Sequence, residues 1–155
     1  MTNWEEEDTM RKSFLLIVAL FLVVPFASAQ DANKADLDAM QGDWQMVSGE
    51  RDGKPLPEYQ VKRGKRECKG NELTVHVAGH LILKATIMLD SSKDPKAIDY
   101  AITDGEHKGK RQFGIYRIAD GMLTFCFAEP GHERPTTFET KGGGGLTLSV
   151  WKKPE

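Results

Sequence analysis

Cysteine is scarce in this chain of 155 residues: Cys68 and Cys126 are the only two. A scaffold held by several disulfides is therefore excluded, and a single intramolecular pairing, Cys68 with Cys126, is available in an oxidising compartment. Bridging needs Cα atoms within about 7 Å, which strand neighbours decide, so a bridge and two buried thiols both stay open at this point. Charge of one sign is lacking too. The net charge is −2, from 21 basic and 23 acidic residues, so no global field draws in nucleic acid or an anionic membrane, and either would need a local patch. No apolar run reaches the ~20 residues of a membrane-spanning helix; the longest, residues 14–26, is interrupted by Pro25. Internal repeats are absent, and the only low-complexity stretch is the glycine run at residues 142–145, which reads as a flexible loop. What remains, 39% hydrophobic and 28% charged residues, is ordinary for one globular domain.

The run at residues 14–26 has Arg11 and Lys12 before it and Ala27-Ser28-Ala29 after it. A charged start, a short apolar core and a small-residue cleavage site in that order predict a secretory signal peptide over residues 1–29. The acids at positions 5–8 do not suit such a leader, so Met10 is the expected start and residues 1–9 a misassigned extension. Cleavage after Ala29 removes two bases and four acids and leaves 19 of each sign. The expected product is a soluble, formally neutral periplasmic or extracellular protein with no membrane span.

Residues 30–36 read as a polar tether, and residues 35–40 as a helical turn or two. Beyond Gly42 the pattern is that of strands. Leu81, Leu83, Ala85, Ile87 and Leu89 recur with period two, as do Leu73/Val75/Val77, Ile98/Tyr100/Ile102, Leu123/Phe125/Phe127 and Leu146/Leu148/Val150. Turn signals separate these runs: Asp52-Gly53, Gly70-Asn71, Ala78-Gly79, Asp104-Gly105 and Asp120-Gly121. With residues 44–49, 61–69 and 113–118 added, about eight strands emerge, and no helix is long enough for a crossover between parallel strands. The expected fold is all-β, an up-and-down antiparallel barrel whose closure removes both open edges. It occupies residues 37–153.

Gly42-Asp43-Trp44, at the entry to the first strand, matches the Gly-x-Trp signature that opens lipocalin-like barrels. A longer series accompanies it: Leu37, Gln41-Gly42-Asp43-Trp44, Asp52-Gly53-Lys54-Pro55-Leu56, Gly70-Asn71-Glu72-Leu73-Thr74, Pro95-Lys96-Ala97-Ile98-Asp99, Gly109-Lys110, Gly114-Ile115-Tyr116, Asp120-Gly121, Leu123, Cys126-Phe127-Ala128, Arg134-Pro135-Thr136 and Phe138. In order and spacing the chain from Leu37 to Lys153 resembles a small secreted domain family of planctomycete bacteria, lipocalin-like and without an assigned function. The resemblance implies the barrel and supplies no activity. One stretch departs from it. Members of that family carry apolar residues where this chain has Lys62-Arg63-Gly64-Lys65-Arg66-Glu67, which makes this segment a candidate edge strand.

In a lipocalin-like barrel Trp44 would floor the closed end, with Arg134 as the cation stacked on its ring. Trp44, Tyr100, Tyr116, Phe125 and Arg134 form the candidate ligand-contacting set. Lys62, Arg63, Lys65 and Arg66, with Lys69 beyond, form a candidate anion patch, against the plainer reading of a solvated edge. His76 falls out of phase with its apolar neighbours and His80 follows a turn, so solvated hairpin histidines are favoured over a zinc site, and no metal or cofactor is expected. Cys126 near His132 lacks the oriented third group of a nucleophilic pair. Asp90, Asp94, Asp99 and Asp104 lack the spacing of a calcium loop and suit turns. No catalytic set can be assembled. The sequence therefore leads to a non-catalytic secreted domain holding a small apolar ligand, or to an envelope module that binds protein or anionic polysaccharide through the basic run.

Overall fold

The computed structural model describes residues 28–141 and 143–155. The expected leader, apart from Ser28 and Ala29, and the alternative start at Met10 lie outside the described residues, as does Gly142. The chain runs α1 (Ala29–Ala39), β1 (Gly42–Arg51), β2 (Lys54–Pro55), α2 (Glu58–Arg63), β3 (Gly64–Lys69), β4 (Glu72–Val77), β5 (His80–Asp90), β6 (Lys96–Gly105), β7 (Arg111–Ala119), β8 (Met122–Phe127) and β9 (Thr147–Lys152). All strand pairs are antiparallel, in the order β1-β3-β4-β5-β6-β7-β8-β9, and β9 pairs again with β1. An eight-stranded up-and-down barrel results, with β2 a two-residue ribbon folded back on β1. Asp52 and Gly53, and again Asp120 and Gly121, both take positive φ, the geometry that lets a two-residue turn follow the twist of its strands.

Closure turns one face of every strand inward. The interior cluster is built from Trp44, Leu73, Ile87, Ile98, Tyr116, Leu123, Phe125 and Trp151, among others. On β5 the predicted alternation holds from Leu83 to Leu89 and fails at Leu81. A register shift against β4 makes Ile82 an extra residue, and Leu81 is exposed. On β9 the prediction is reversed: Leu148 and Val150 face outward. Trp151, Ser149 and Thr147 sit opposite Leu123, Phe125 and Phe127, which fixes them on the inner face.

The stretch expected as a tether is helical. Ser28 and Asp31 cap the start of α1 reciprocally, and the helix lies across one end of the barrel. Its Asp36 accepts a hydrogen bond from the Tyr116 hydroxyl at 2.6 Å and pairs with Lys96 at 2.7 Å, while Asn33 accepts one from the Ser91 amide. Met40, fully buried, plugs the same end. The other end carries α2, the β4–β5 and β6–β7 turns and the start of β9, and is open.

The long connection from β8 to β9 returns along the outside wall. There Arg134 donates to the carbonyls of Ile98 (3.1 Å) and Gly114 (2.7 Å) and to the Asp99 carboxylate (2.6 Å), with Phe113 beneath its guanidinium. Ala97, Ile115, Cys126 and Ala128 are buried but stand apart from the interior cluster, so this strap covers an outer apolar layer.

Candidate functional site

The open end leads into a cavity of about 610 Å³ that reaches from the rim to mid-barrel. Met46, Val75, Val77, Leu83, Phe127 and Trp151 give it apolar walls, and Thr147 and Ser149 supply a narrow polar stripe along β9. The stripe follows from the reversed phase of that strand. Tyr59 on α2 and Ile82 on the β5 bulge stand at the rim, 58% and 50% exposed. Large apolar side chains there continue the apolar wall out to solvent. α2 is pinned beside the mouth by Gln45, whose amide donates to the carbonyls of Lys62 and Gly64 at 3.1 and 3.0 Å.

Two arginines line this cavity: Arg51, which is paired with Glu129, and Arg66, which lies deeper in the barrel. Arg66 is 3% exposed, its Nη1 donates to the Tyr100 hydroxyl at 2.7 Å, and its guanidinium carbon lies 4.0 Å from the centre of the Phe125 ring. Nε and Nη2 have no hydrogen-bond partner. None of the ion pairs among the described residues includes Arg66. Burial pushes the Tyr100 phenol above its ordinary range, and the Arg66 charge offsets part of that rise, so the hydroxyl stays protonated. Tyr100 also packs on Phe127, ring centroids 4.2 Å apart.

The residues expected to contact ligand divide into three places. Tyr100 lines the cavity. Trp44, Tyr116 and Phe125 are buried in the interior cluster, with Trp44 and Tyr116 tied to the closed end. Arg134 is on the outer wall and does not reach Trp44, because its segment leaves the barrel at the open end and descends outside. Lys153, just beyond β9, takes the place over the Trp44 ring, 4.9 Å from its centre.

The basic run is divided as well. β3 lies between β1 and β4 and is no edge. Its alternation turns Gly64, Arg66 and Cys68 inward and Lys65, Glu67 and Lys69 outward. Arg66 therefore leaves the anion patch, Lys62 pairs with Glu58, and Arg63 and Lys65 remain exposed. The inward position of Arg66 had a signal in the sequence: it shares phase with Cys68, the one apolar residue of that strand.

Cys68 and Cys126 are both free and buried. Cys68 belongs to the interior, whereas Cys126 sits in the outer layer, opposite Ile115 and Leu148, with its thiol 4.0 Å from the Glu139 carbonyl oxygen. The barrel wall stands between them, which excludes the bridge. Burial raises both thiols, Cys126 to about 11. A folded-state value above the unfolded one contributes stability below pH ~9 that is lost as pH climbs towards the folded value. Iodoacetamide is accordingly expected to label the native thiols at least about tenfold more slowly than the denatured ones. Denatured protein takes up two labels, and the unfolding midpoint is indifferent to reductant and falls above pH ~9. A mass showing one internal bridge would refute this arrangement.

His76 is half-buried between Lys65 and Leu81, and His80 is exposed at the rim. Asp90 accepts from Ser92 in the turn after β5, Asp104 accepts from Gly105 at the end of β6, and Asp99 is taken up by Arg134 and Arg111. Among the described residues no group of three or more His, Cys, Asp or Glu side chains is placed to hold a metal ion. Comparison of the chain with protein-family models, with curated proteins and with solved structures finds no match.

Proposed function

We propose that this protein is a non-catalytic binding domain that holds a small, largely apolar ligand in the mouth of its barrel. The observation that carries this reading is the cavity itself: a barrel of eight strands can be filled by side chains, and here its upper half is not. Tyr59 and Ile82 at the rim suit entry of an apolar molecule. The resemblance to a secreted lipocalin-like family agrees with such a role outside the cytoplasm. Binding of protein or anionic polysaccharide through the basic run is the weaker reading, since Arg66 is turned inward and Lys62 is already paired.

The neutral fluorophore N-phenyl-1-naphthylamine tests the cavity. The purified protein is expected to bind it saturably at one site per chain. Val77→Trp, which fills the cavity near its rim, should weaken that binding at least about tenfold while leaving the fold intact. Equal binding by the two proteins, or none by either, would dismiss the proposal.

A further inference from the structure

We propose that the ligand is an amphiphilic carboxylate, its head seated on the Arg66 guanidinium and its apolar tail lying along the cavity towards the mouth. This rests on the binding reading above and adds the chemistry of the head group. A guanidinium cannot shed its charge as a buried lysine does. Arg66 is nevertheless withdrawn from water with a phenol and a ring face as its only compensation. Burial of a cation without an anion is strongly unfavourable, so the free protein carries a standing deficit at this point.

The geometry of that deficit names the partner. Nη1 is occupied by Tyr100, and the two unpartnered donors, Nε and Nη2, share one edge of the planar guanidinium. Two parallel N–H donors on one edge are the fork that a carboxylate accepts in a bidentate pair. Both atoms are fully buried in the free protein, so the head group reaches them by displacing the side chains that cover this edge. The acids that line the cavity do not serve: Glu106 is exposed at the rim, and Glu129 is paired with Arg51. Of the two lining arginines only Arg66 lacks an acid partner, and its one charge matches a singly charged head, whereas a phosphate monoester, with close to two charges near neutral pH, would leave an excess buried. The apolar walls above Arg66 suit a hydrocarbon tail. Tyr100 is the positioning residue, because its hydroxyl takes Nη1 and leaves the opposite edge free.

Decanoate, decanol and decyl phosphate are to be compared as competitors of N-phenyl-1-naphthylamine on the purified protein. Decanoate is expected to bind at least about tenfold more tightly than either, the scale of a charge-assisted pair in a dry site. Arg66→Met, an apolar replacement of similar length, should abolish that preference, so that decanoate and decanol bind within about threefold of each other in direct titration calorimetry, and removing a buried unpaired charge should not unfold it. A second measurement needs no variant: the carboxyl resonance of 1-¹³C-decanoate should show the bound acid ionised to lower pH than the free acid. Should Arg66→Met fail to fold, this titration decides. Fluorophore binding without a preference for decanoate overturns the carboxylate and leaves the apolar site standing. Tighter binding of decyl phosphate overturns the singly charged head. Failure of the fluorophore to bind overturns both.

Discussion

Trp44→Ala is expected to destabilise the fold by about 3–5 kcal/mol, the range for deleting a buried aromatic side chain. Three losses coincide. The indole fills the interior at the closed end, where Met40 and Leu73 are fully buried beside it in the same cluster. Its Nε1 donates to the Met40 carbonyl at 2.9 Å, a bond that holds the turn from α1 into β1. Its ring carries Lys153, whose ammonium also donates to the Gln41 carbonyl at 2.7 Å, so the end of the chain is tied to the same corner. A small β domain has only about 5–15 kcal/mol in total, so the variant should be partly unfolded at physiological temperature. Urea unfolding would show a lowered midpoint at an unchanged slope. Trp44→Phe, which keeps a ring and loses the hydrogen bond, should retain most of the stability. A loss below about 1 kcal/mol for the alanine variant would contradict a packed floor at this end.

Gly105→Ala carries the next largest effect, roughly 2–4 kcal/mol. Gly105 has φ +102°, and a Cβ built there would lie 2.5 Å from the Ile82 carbonyl oxygen, a backbone atom that cannot turn aside. It sits where β6 carries one residue more than β5: Lys84 faces Asp104 and Ala85 faces Ile102. Relief of the clash has to move the bulge, and with it Ile82 and the rim of the cavity. Gly131→Ala is the matched control. Its φ of +94° is close to that of Gly105, yet nothing lies within 4 Å of the new Cβ, so only backbone strain of about 1–2 kcal/mol is expected. Chemical unfolding of the two variants side by side separates strain from collision. Equal losses would mean that β5 and β6 do not approach as described.

Much of the barrel was legible before any coordinates. Period-two apolar runs and Asp-Gly turns are local signals, and each strand reports its own length and breaks through them. The site was less legible. Asp104-Gly105 has the letters of a hairpin tip but lies within β6 and its bulge, because the turn that follows is longer. Residues 30–36 lack the apolar spacing that signals a helix, and α1 is held by a cap and by contacts from Asp36 to β6 and β7 and from Asn33 to the turn after β5, some sixty to eighty positions away. Arg66 looked like one charge in a basic run.

The count of barrel strands, their antiparallel succession and the large apolar residues available to fill a barrel are all written in local pattern. Which residues face the middle was settled only in the closed structure. Val47 and Ile82 are extra residues against their partner strands, and a slip of one position exchanges the two faces of everything beyond it. The pairing of β1 with β9 joins residues about a hundred positions apart, and on it depend the inward Trp151, the polar stripe of Thr147 and Ser149, and the cavity above Arg66. No local pattern records such a pairing, because its energy comes from shared burial between segments that meet only when the barrel shuts.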